Sequence, residues 1–172
     1  MFTCKFLPDS ENLLYSGGWD RYVKFWDIRA NKLTHNFHGP QVCGDTIDMS
    51  KDGHSFVTGG GGGGEGIQTW DLRKLTEGPV LRIPWVTLKS GEVSNPLLNV
   101  VKYLQGQNVI IAGGCDAKCP AKCFNVLTGQ LVDTFPKLSK ACMALDISGE
   151  KNHLVLGDAG GLIHFEHINY SF

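Results

Sequence analysis

A unit of the same make returns four times along this chain, and it constrains the fold more than any other feature. Leu14-Tyr15-Ser16-Gly17-Gly18-Trp19-Asp20 leads to Trp26-Asp27, Phe56-Val57-Thr58-Gly59 to Trp70-Asp71, and Ile110-Ile111-Ala112-Gly113-Gly114 to Phe124-Asn125. Leu154-Val155-Leu156-Gly157-Asp158 falls into the same frame and leads to Glu166-His167. Each copy has an apolar run, a small residue, a Gly-containing turn and an alternating stretch that ends in an aromatic–acid pair or a degraded form of it. The pairs begin at positions 26, 70, 124 and 166, and steps of about 40–45 residues are the period of a four-stranded repeat unit. The middle step is longer. Pro84 to Pro96, with two prolines and Gly91, reads as a loop insertion there.

Local patterns call for short strands throughout. Tyr22-Val23-Lys24-Phe25-Trp26 and Ile67-Gln68-Thr69-Trp70 mix β-branched and aromatic residues, the composition that suits a pleated, half-buried surface. Polar turn clusters recur at one phase: Pro8 to Asn12, Ser50 to Gly53, Gln105 to Asn108 and Ser148 to Asn152. Every ten-residue window with helical apolar spacing is broken by Gly or Pro. The expectation is an all-β chain.

Bulk properties narrow the classes of partner. At 172 residues with net charge −1 and 19% charged residues, the chain lacks the clustered Lys and Arg that nucleic acid or an anionic membrane surface requires. No stretch approaches the ~20 apolar residues of a membrane span. Met1 to Pro8 has no basic segment leading into an apolar one, so it does not read as a secretory leader. With no sign of export, the six cysteines are expected as reduced thiols. A cytoplasmic location follows, with cytoskeletal, ciliary and nuclear sites as alternatives.

Ser16-Gly17-Gly18-Trp19-Asp20-Arg21-Tyr22-Val23-Lys24-Phe25-Trp26-Asp27-Ile28-Arg29 resembles the b–c hairpin of the WD-repeat β-propeller family, and Thr69-Trp70-Asp71-Leu72-Arg73 is a second good ending. Phe124-Asn125-Val126-Leu127-Thr128-Gly129-Gln130 looks like the family's c-to-d turn. One such stretch is weak; four in register cover essentially the whole chain. The resemblance implies a propeller of four antiparallel blades forming an incomplete ring, approximately 1–31, 32–75, 76–129 and 130–172 within a single propeller segment. It also implies a hydrogen-bonded chain of His, Ser or Thr, Asp and Trp in each good blade. Ser16, Asp20 and Trp26 match three positions in the first blade, Thr58 and Trp70 two in the second, with His38 a poorly placed fourth member. The third keeps only Asp116 and Phe124. In the last, Leu156 and Glu166 stand where Ser and Trp belong, so a polar chain is expected to be absent. These residues are expected to be structural, not catalytic.

A propeller closes with four to eight blades. On this reading Phe2-Thr3-Cys4-Lys5-Phe6 opens the first blade, and Lys32-Leu33-Thr34-His35-Asn36-Phe37 is the outer strand of the second, which leaves the first blade short of a strand. Further blades or a partner chain are expected to complete the arc, because open faces and strand edges invite aggregation.

The chemically suggestive stretches each have a plainer explanation. Gly59 to Gly64 with Gly66 satisfies a phosphate-loop spacing trivially, yet Ile67-Gln68-Thr69-Trp70 after it reads as strand where a helix N-terminus would be needed. A lengthened b–c turn is expected. Cys115, Cys119 and Cys123 place three thiols at spacing four, but a zinc site of this kind uses two cysteine pairs, and the second pair is missing. No metal and no cofactor are expected. Cys43 near His38 reads as a buried thiol at the start of an inner strand, and no acid–base pair stands out, so no catalytic residue is assigned.

The function that follows is a non-catalytic protein–protein scaffold, a subunit of a larger assembly. Trp19, Arg21 and Trp85 are the candidate partner contacts, since Trp and Arg dominate interface hot spots. One alternative is a reader of a peptide or modified tail in the central channel. Another is a cytoskeletal or axonemal component, because Gly39 to Asp48 is similar to a repeat version found in WD chains of ciliated eukaryotes.

Overall fold

The protein is described here from a computed structural model, which describes residues 1–61, 66–86, 93–116, 120–135, 138–148 and 153–168. Its described strands fall into four meandering antiparallel sheets and one separate two-stranded hairpin. The first contains β1 (Thr3–Phe6), β2 (Leu13–Gly17), β3 (Tyr22–Asp27) and β4 (Lys32–His38). The second contains β5 (Ile47–Met49), β6 (Ser55–Gly59), β7 (Ile67–Asp71) and, after a short 3-10 helix Leu72–Glu77, β8 (Leu81–Ile83). A two-stranded hairpin, β9 (Trp85–Val86) with β10 (Val93–Ser94), fills part of the insertion. The third sheet contains β11 (Leu98–Leu104), β12 (Val109–Gly114), β13 (Ala121–Asn125) and β14 (Leu131–Thr134). The fourth has β15 (Cys142–Ile147), β16 (His153–Asp158) and β17 (Ile163–His167), three strands among the described residues. The four-blade, all-β reading holds, and the sheets form no closed ring among the described residues.

One strand assignment is corrected. Lys32–His38 pairs with β3 of its own sheet, Val23 opposite Phe37 and Phe25 opposite His35, so it is the outer strand of the first sheet and not of the second. The first sheet therefore has all four strands. The reason is local: Asp27 Oδ1 accepts the Ala30 N–H at 2.9 Å, and Asn31 at φ 49° reverses the chain at once.

The acid after each aromatic residue now has a physical role. Asp27, Asp71 and Asn125 end their third strands, and each side chain accepts backbone N–H groups of the turn that follows: Ala30 for Asp27, Arg73 for Asp71, Leu127 and Thr128 for Asn125. Short polar side chains favour this local capping. Gly129 at φ 72° completes the third turn in a conformation that costs a glycine little. Arg73 adds a two-pronged bond to Asp71 and holds its carboxyl far below the usual carboxylate range, together with the Arg73 N–H.

Side chains from adjoining sheets form three apolar seams. Tyr15, Val23 and Phe25 of the first sheet meet Ile47, Met49, Phe56 and Trp70 of the second, with Phe37 and Trp70 rings 4.9 Å apart. Val57, Ile67 and Ile83 of the second meet Val101, Tyr103, Ile110 and Phe124 of the third, with Trp85 and Leu98. Ile111, Cys123 and Leu104 of the third meet Cys142, Leu145, Leu154 and Leu156 of the fourth. At about 25 cal/mol per Å2 of apolar surface removed from water, each seam outweighs any single polar contact in the chain.

A glycine near the end of each second strand lets the next sheet in. A Cβ at Gly59 would lie 2.9 Å from Val101 Cγ2, 3.1 Å from Thr46 Cβ and 3.2 Å from Leu98 Cδ1. Gly17 stands likewise against Ile47 and Val42, and Gly113 against Cys142 and Val100. Gly59→Leu should accordingly cost about 1–3 kcal/mol through overpacking, read as a lowered urea midpoint with an unchanged slope.

Candidate functional site: the turn end of the sheets

The strand pairing brings the b–c turns and the d-to-a connections to one end. Thr3 lies opposite Gly17, Gly17 opposite Val23, and Tyr22 opposite His38. On the first sheet that end carries Trp19, 60% exposed, with its ring centroid 5.1 Å from that of the exposed Phe2. Arg21 sits beside them at φ 61° and is exposed. Trp19 and Arg21 are thus surface residues, as a docking contact requires. Trp85 is not. It is 1% exposed, so its reading as a loop-side contact is corrected: the insertion folds its tryptophan into the second seam.

Ser16 and Trp26 are joined directly, with Trp26 Nε1 donating to Ser16 Oγ at 2.9 Å. Trp70 Nε1 donates to Thr58 Oγ1 at 2.8 Å in a fully buried setting. Asp20 does not extend the first of these chains. Its carboxylate accepts from Lys24 Nζ at 2.7 Å and the Tyr22 N–H at 3.4 Å, and the Lys24 bond, with lesser help from Tyr22, holds it below the ordinary carboxylate value against a small effect of burial. His38 packs edge-on against Tyr22, centroids 5.8 Å apart, and takes no part in the Thr58–Trp70 pair.

A pairing that sequence reasoning missed runs through three of the sheets: an acid in the b–c turn holds a base on the third strand. Lys24, Lys122 and His164 occupy the same register, opposite Ser16, Ala112 and Leu156 respectively. Lys24 reaches Asp20, Lys122 Nζ lies 3.3 Å from Asp116 Oδ2, and His164 Nε2 lies 3.3 Å from Asp158 Oδ2. In the third sheet the group is wholly buried. Trp85 Nε1 donates to Asp116, Lys122 also donates to the Val86 carbonyl at 2.8 Å, and its ammonium lies 4.4 Å from the Trp85 ring centroid. Asp116 therefore has a well-defined role as the anion under a buried cation.

The fourth sheet is corrected on the same ground. A polar chain is present: Asp158 accepts the Leu162 and Gly160 N–H groups at 3.1 and 2.8 Å, and Ser139 Oγ lies 3.4 Å away, alongside His164. Leu162 and Gly160, then His164, hold its carboxyl below the ordinary value despite burial. The lost Ser and Trp positions misled because the acid, not the tryptophan, organises this turn.

Inner strands carry a second set of charges. Lys5 Nζ lies 2.6 Å from Asp45 and 3.6 Å from Asp48, and Lys102 Nζ lies 2.7 Å from Asp45. The Tyr103 N–H donates to Asp48 at 2.8 Å. Burial pushes Asp48 up and Lys5 down, whereas at Asp45 the two lysines outweigh burial and keep it below its usual range. These charges neutralise one another.

Among the cysteines, Cys115 is exposed and Cys123 is buried on β13, opposite Ile111; Cys119 lies outside the described residues. No group of three His, Cys, Asp or Glu residues suited to a metal occurs among the described residues. Cys43 is corrected to the connection before β5 and is half-buried. Gly62 to Glu65 lie outside the described residues, but Gly60 N–H to Gly66 O at 2.8 Å closes that turn directly into β7. No described helix is long and apolar enough to cross a membrane.

Two predictions follow from these polar groups. Asp116→Ala strands a buried ammonium and should cost about 3–5 kcal/mol, read by urea unfolding, with Asp116→Leu combined with Lys122→Met recovering most of it. Asp158 titrates below its ordinary value of 3.8, so its stabilising effect is present above that pH and is lost as pH falls through the lower folded value. Asp158→Asn should therefore be less stable than the parent at pH 7, with the gap narrowing below pH 3.8.

No family model matches the chain. The small ribosomal subunit protein RACK1 of Drosophila melanogaster is 39% identical over 69 residues, which is 40% of this chain and 21% of that protein. The Cross-pathway control WD-repeat protein 2 of Flammulina velutipes is 34% identical over 96 residues, 55% of this chain and 27% of that protein. The chain thus spans about a quarter of these relatives' lengths. The crystal structure of the computationally designed Ika4 protein superposes with a TM-score of 0.65 over 98% of this chain and 93% of that one, at 20% identity, a likeness of fold alone. The units that repeat along the sequence are the sheets that stack in space, and together with these relatives they make the chain similar to the WD-repeat β-propeller family.

Proposed function

We propose that this chain is a non-catalytic docking scaffold, a WD-repeat subunit that holds other proteins within a larger cytoplasmic assembly. The observation that carries this reading is the exposed Phe2–Trp19 pair on the turn end of a rigid sheet. An aromatic pair in water is costly for a monomer, and such residues anchor interfaces. The polar groups around it speak for the same role. Asp20, Asp116 and Asp158 are each tied to a base, and the inner charges are paired, so these groups are engaged in holding turns and seams. The Drosophila relative is named as a protein of the small ribosomal subunit, which agrees with a subunit role here.

Purification from native source in high salt should yield stoichiometric protein partners. With one such partner purified, Trp19→Ala should weaken binding about tenfold or more, the ~1.4 kcal/mol expected of an interface anchor, while unfolding moves by no more than about 0.5 kcal/mol. A chain that takes no folded partner and binds only a short peptide would refute the scaffold reading.

A further inference from the structure

The aromatic residue near the end of each third strand shows where the second sheet departs from its neighbours. Trp26 lies opposite Leu33 of β4, and Phe124 opposite Leu131 of β14, so an outer strand runs beside each. Trp70 has no such partner. β8 pairs only with Ile67, Gln68 and Thr69, because the chain leaves β7 through the 3-10 helix Leu72–Glu77 and resumes as a strand at Leu81. The seam between the first two sheets is therefore open at its outer rim. A cavity of about 420 Å3 lies there, bounded by Phe37 and Gly39 on one side and by Gln68, Trp70, Thr76 and Arg82 on the other, within the size range of ligand-binding clefts. Both walls belong to sheets with four described strands, and their seam lies inside the chain. Gly39 keeps the space clear. A Cβ there would lie 3.2 Å from Val23 Cγ2, 3.9 Å from Phe37 Cε2 and 4.0 Å from Trp70 Cζ2, so a side chain at 39 would occupy the space beside both rings.

Two further observations bear on the occupant. The first is the edge of β4. Gly39 N–H donates to the Arg21 carbonyl at 2.9 Å, and in step with it Phe37 and His35 face Val23 and Phe25, so the backbone groups of Asn36 and His38 point away from β3. Neither of those N–H groups meets a partner among the described residues. A strand added along this edge would set alternate side chains on the face that Phe37 occupies, over the cavity. The second is charge. β4 and the stretch from β7 to β8 carry four Lys and Arg residues against two acids, in a chain of net charge −1. Arg73 and Lys74 are paired with Asp71 and Glu77. Arg82 on the cavity wall is exposed and meets no counter-ion among the described residues.

We propose that this rim groove takes an extended acidic segment of a partner protein, added as a strand beside β4, with one aromatic side chain seated against Phe37 and Trp70 and a flanking carboxylate on Arg82. Backbone bonds to the edge of β4 supply affinity, the cavity and the arginine supply selection. The contact goes beyond the docking reading at Trp19: it uses other residues, and it names the chemistry of what binds.

The probe is a fluorescein-labelled peptide of about ten residues, with a single Phe, Glu at the second position on either side of it, and Ser or Thr elsewhere. Titrated with the purified chain, its anisotropy should give a Kd on the order of 10–100 µM. The same peptide with Lys for Glu should bind about tenfold more weakly or worse. Arg82→Glu, on an exposed site and folded by circular dichroism, should reverse that preference. N-methylation of alternate peptide residues should abolish binding in one phase and spare it in the other, since an added strand turns every second N–H toward β4. Equal binding of the Glu and Lys peptides, an Arg82→Glu chain with the parent's preference, or two methylated phases that bind alike would each overturn the proposal. No binding of the Glu peptide would overturn it too, while purified partners still held through Trp19 would leave the scaffold reading standing. Peptide binding of the expected pattern by a chain that takes no folded partner would support the groove and sink the scaffold.

Discussion

No sheet of this protein can bury both of its faces alone, and the contact that lets two of them meet is a side chain of one inner strand set over a glycine of the preceding sheet. At Gly59 the neighbour is Val101, at Gly113 it is Cys142. That close approach brings the aromatic rows within reach of each other, so that Phe56 and Trp70 stack at 5.8 Å and face Phe25 and Phe37 across the seam. Without it the seams would hold only side-chain tips, and dispersion across a gap falls away steeply. The high glycine content is thus concentrated in function at a few positions: it sets inter-sheet distance.

Polar chemistry is subordinate to this packing. The Trp70 N–H must be satisfied because its seam buries it, which explains Thr58 on the second strand, and Ser16 holds the half-buried Trp26 in the same way. Turn acids do the rest. Each fixes its own turn by accepting backbone N–H groups or a base on the third strand, and a fixed turn in turn fixes the register of the hairpin. The buried Lys122 is tolerated only because Asp116, the Val86 carbonyl and the Trp85 ring surround its ammonium; an unpaired charge there would neutralise or unfold the sheet.

Much of the architecture could be read from the chain because the repeat is written in period and in small residues. The third strands and the turns after them follow from local pattern. What escaped was non-local. That Lys32–His38 belongs to the first sheet depends on a one-residue reversal at Asn31, which a blade boundary drawn from the repeat cannot place. Trp85 looked like a surface anchor because it sits between prolines, and only the fold of the insertion reveals its pocket. The partnership of Asp158 with His164 was hidden by a fixed idea of which residue types complete a blade, while Lys24, Lys122 and His164 reveal themselves only when the strands are laid side by side. Trp19 was legible as exposed, since a turn offers a tryptophan no interior.

The alternating charges of the inner strands carry an implication for how such a chain can change over generations. Lys5 reaches Asp45 and Asp48, and Lys102 reaches Asp45, across sheet boundaries, so the acids at the second sheet serve both of its neighbours and the natural module of growth is more than one sheet. Duplication of a single unit would set like charges side by side at the new boundary, a destabilising arrangement, whereas duplication of a pair would preserve the order of signs.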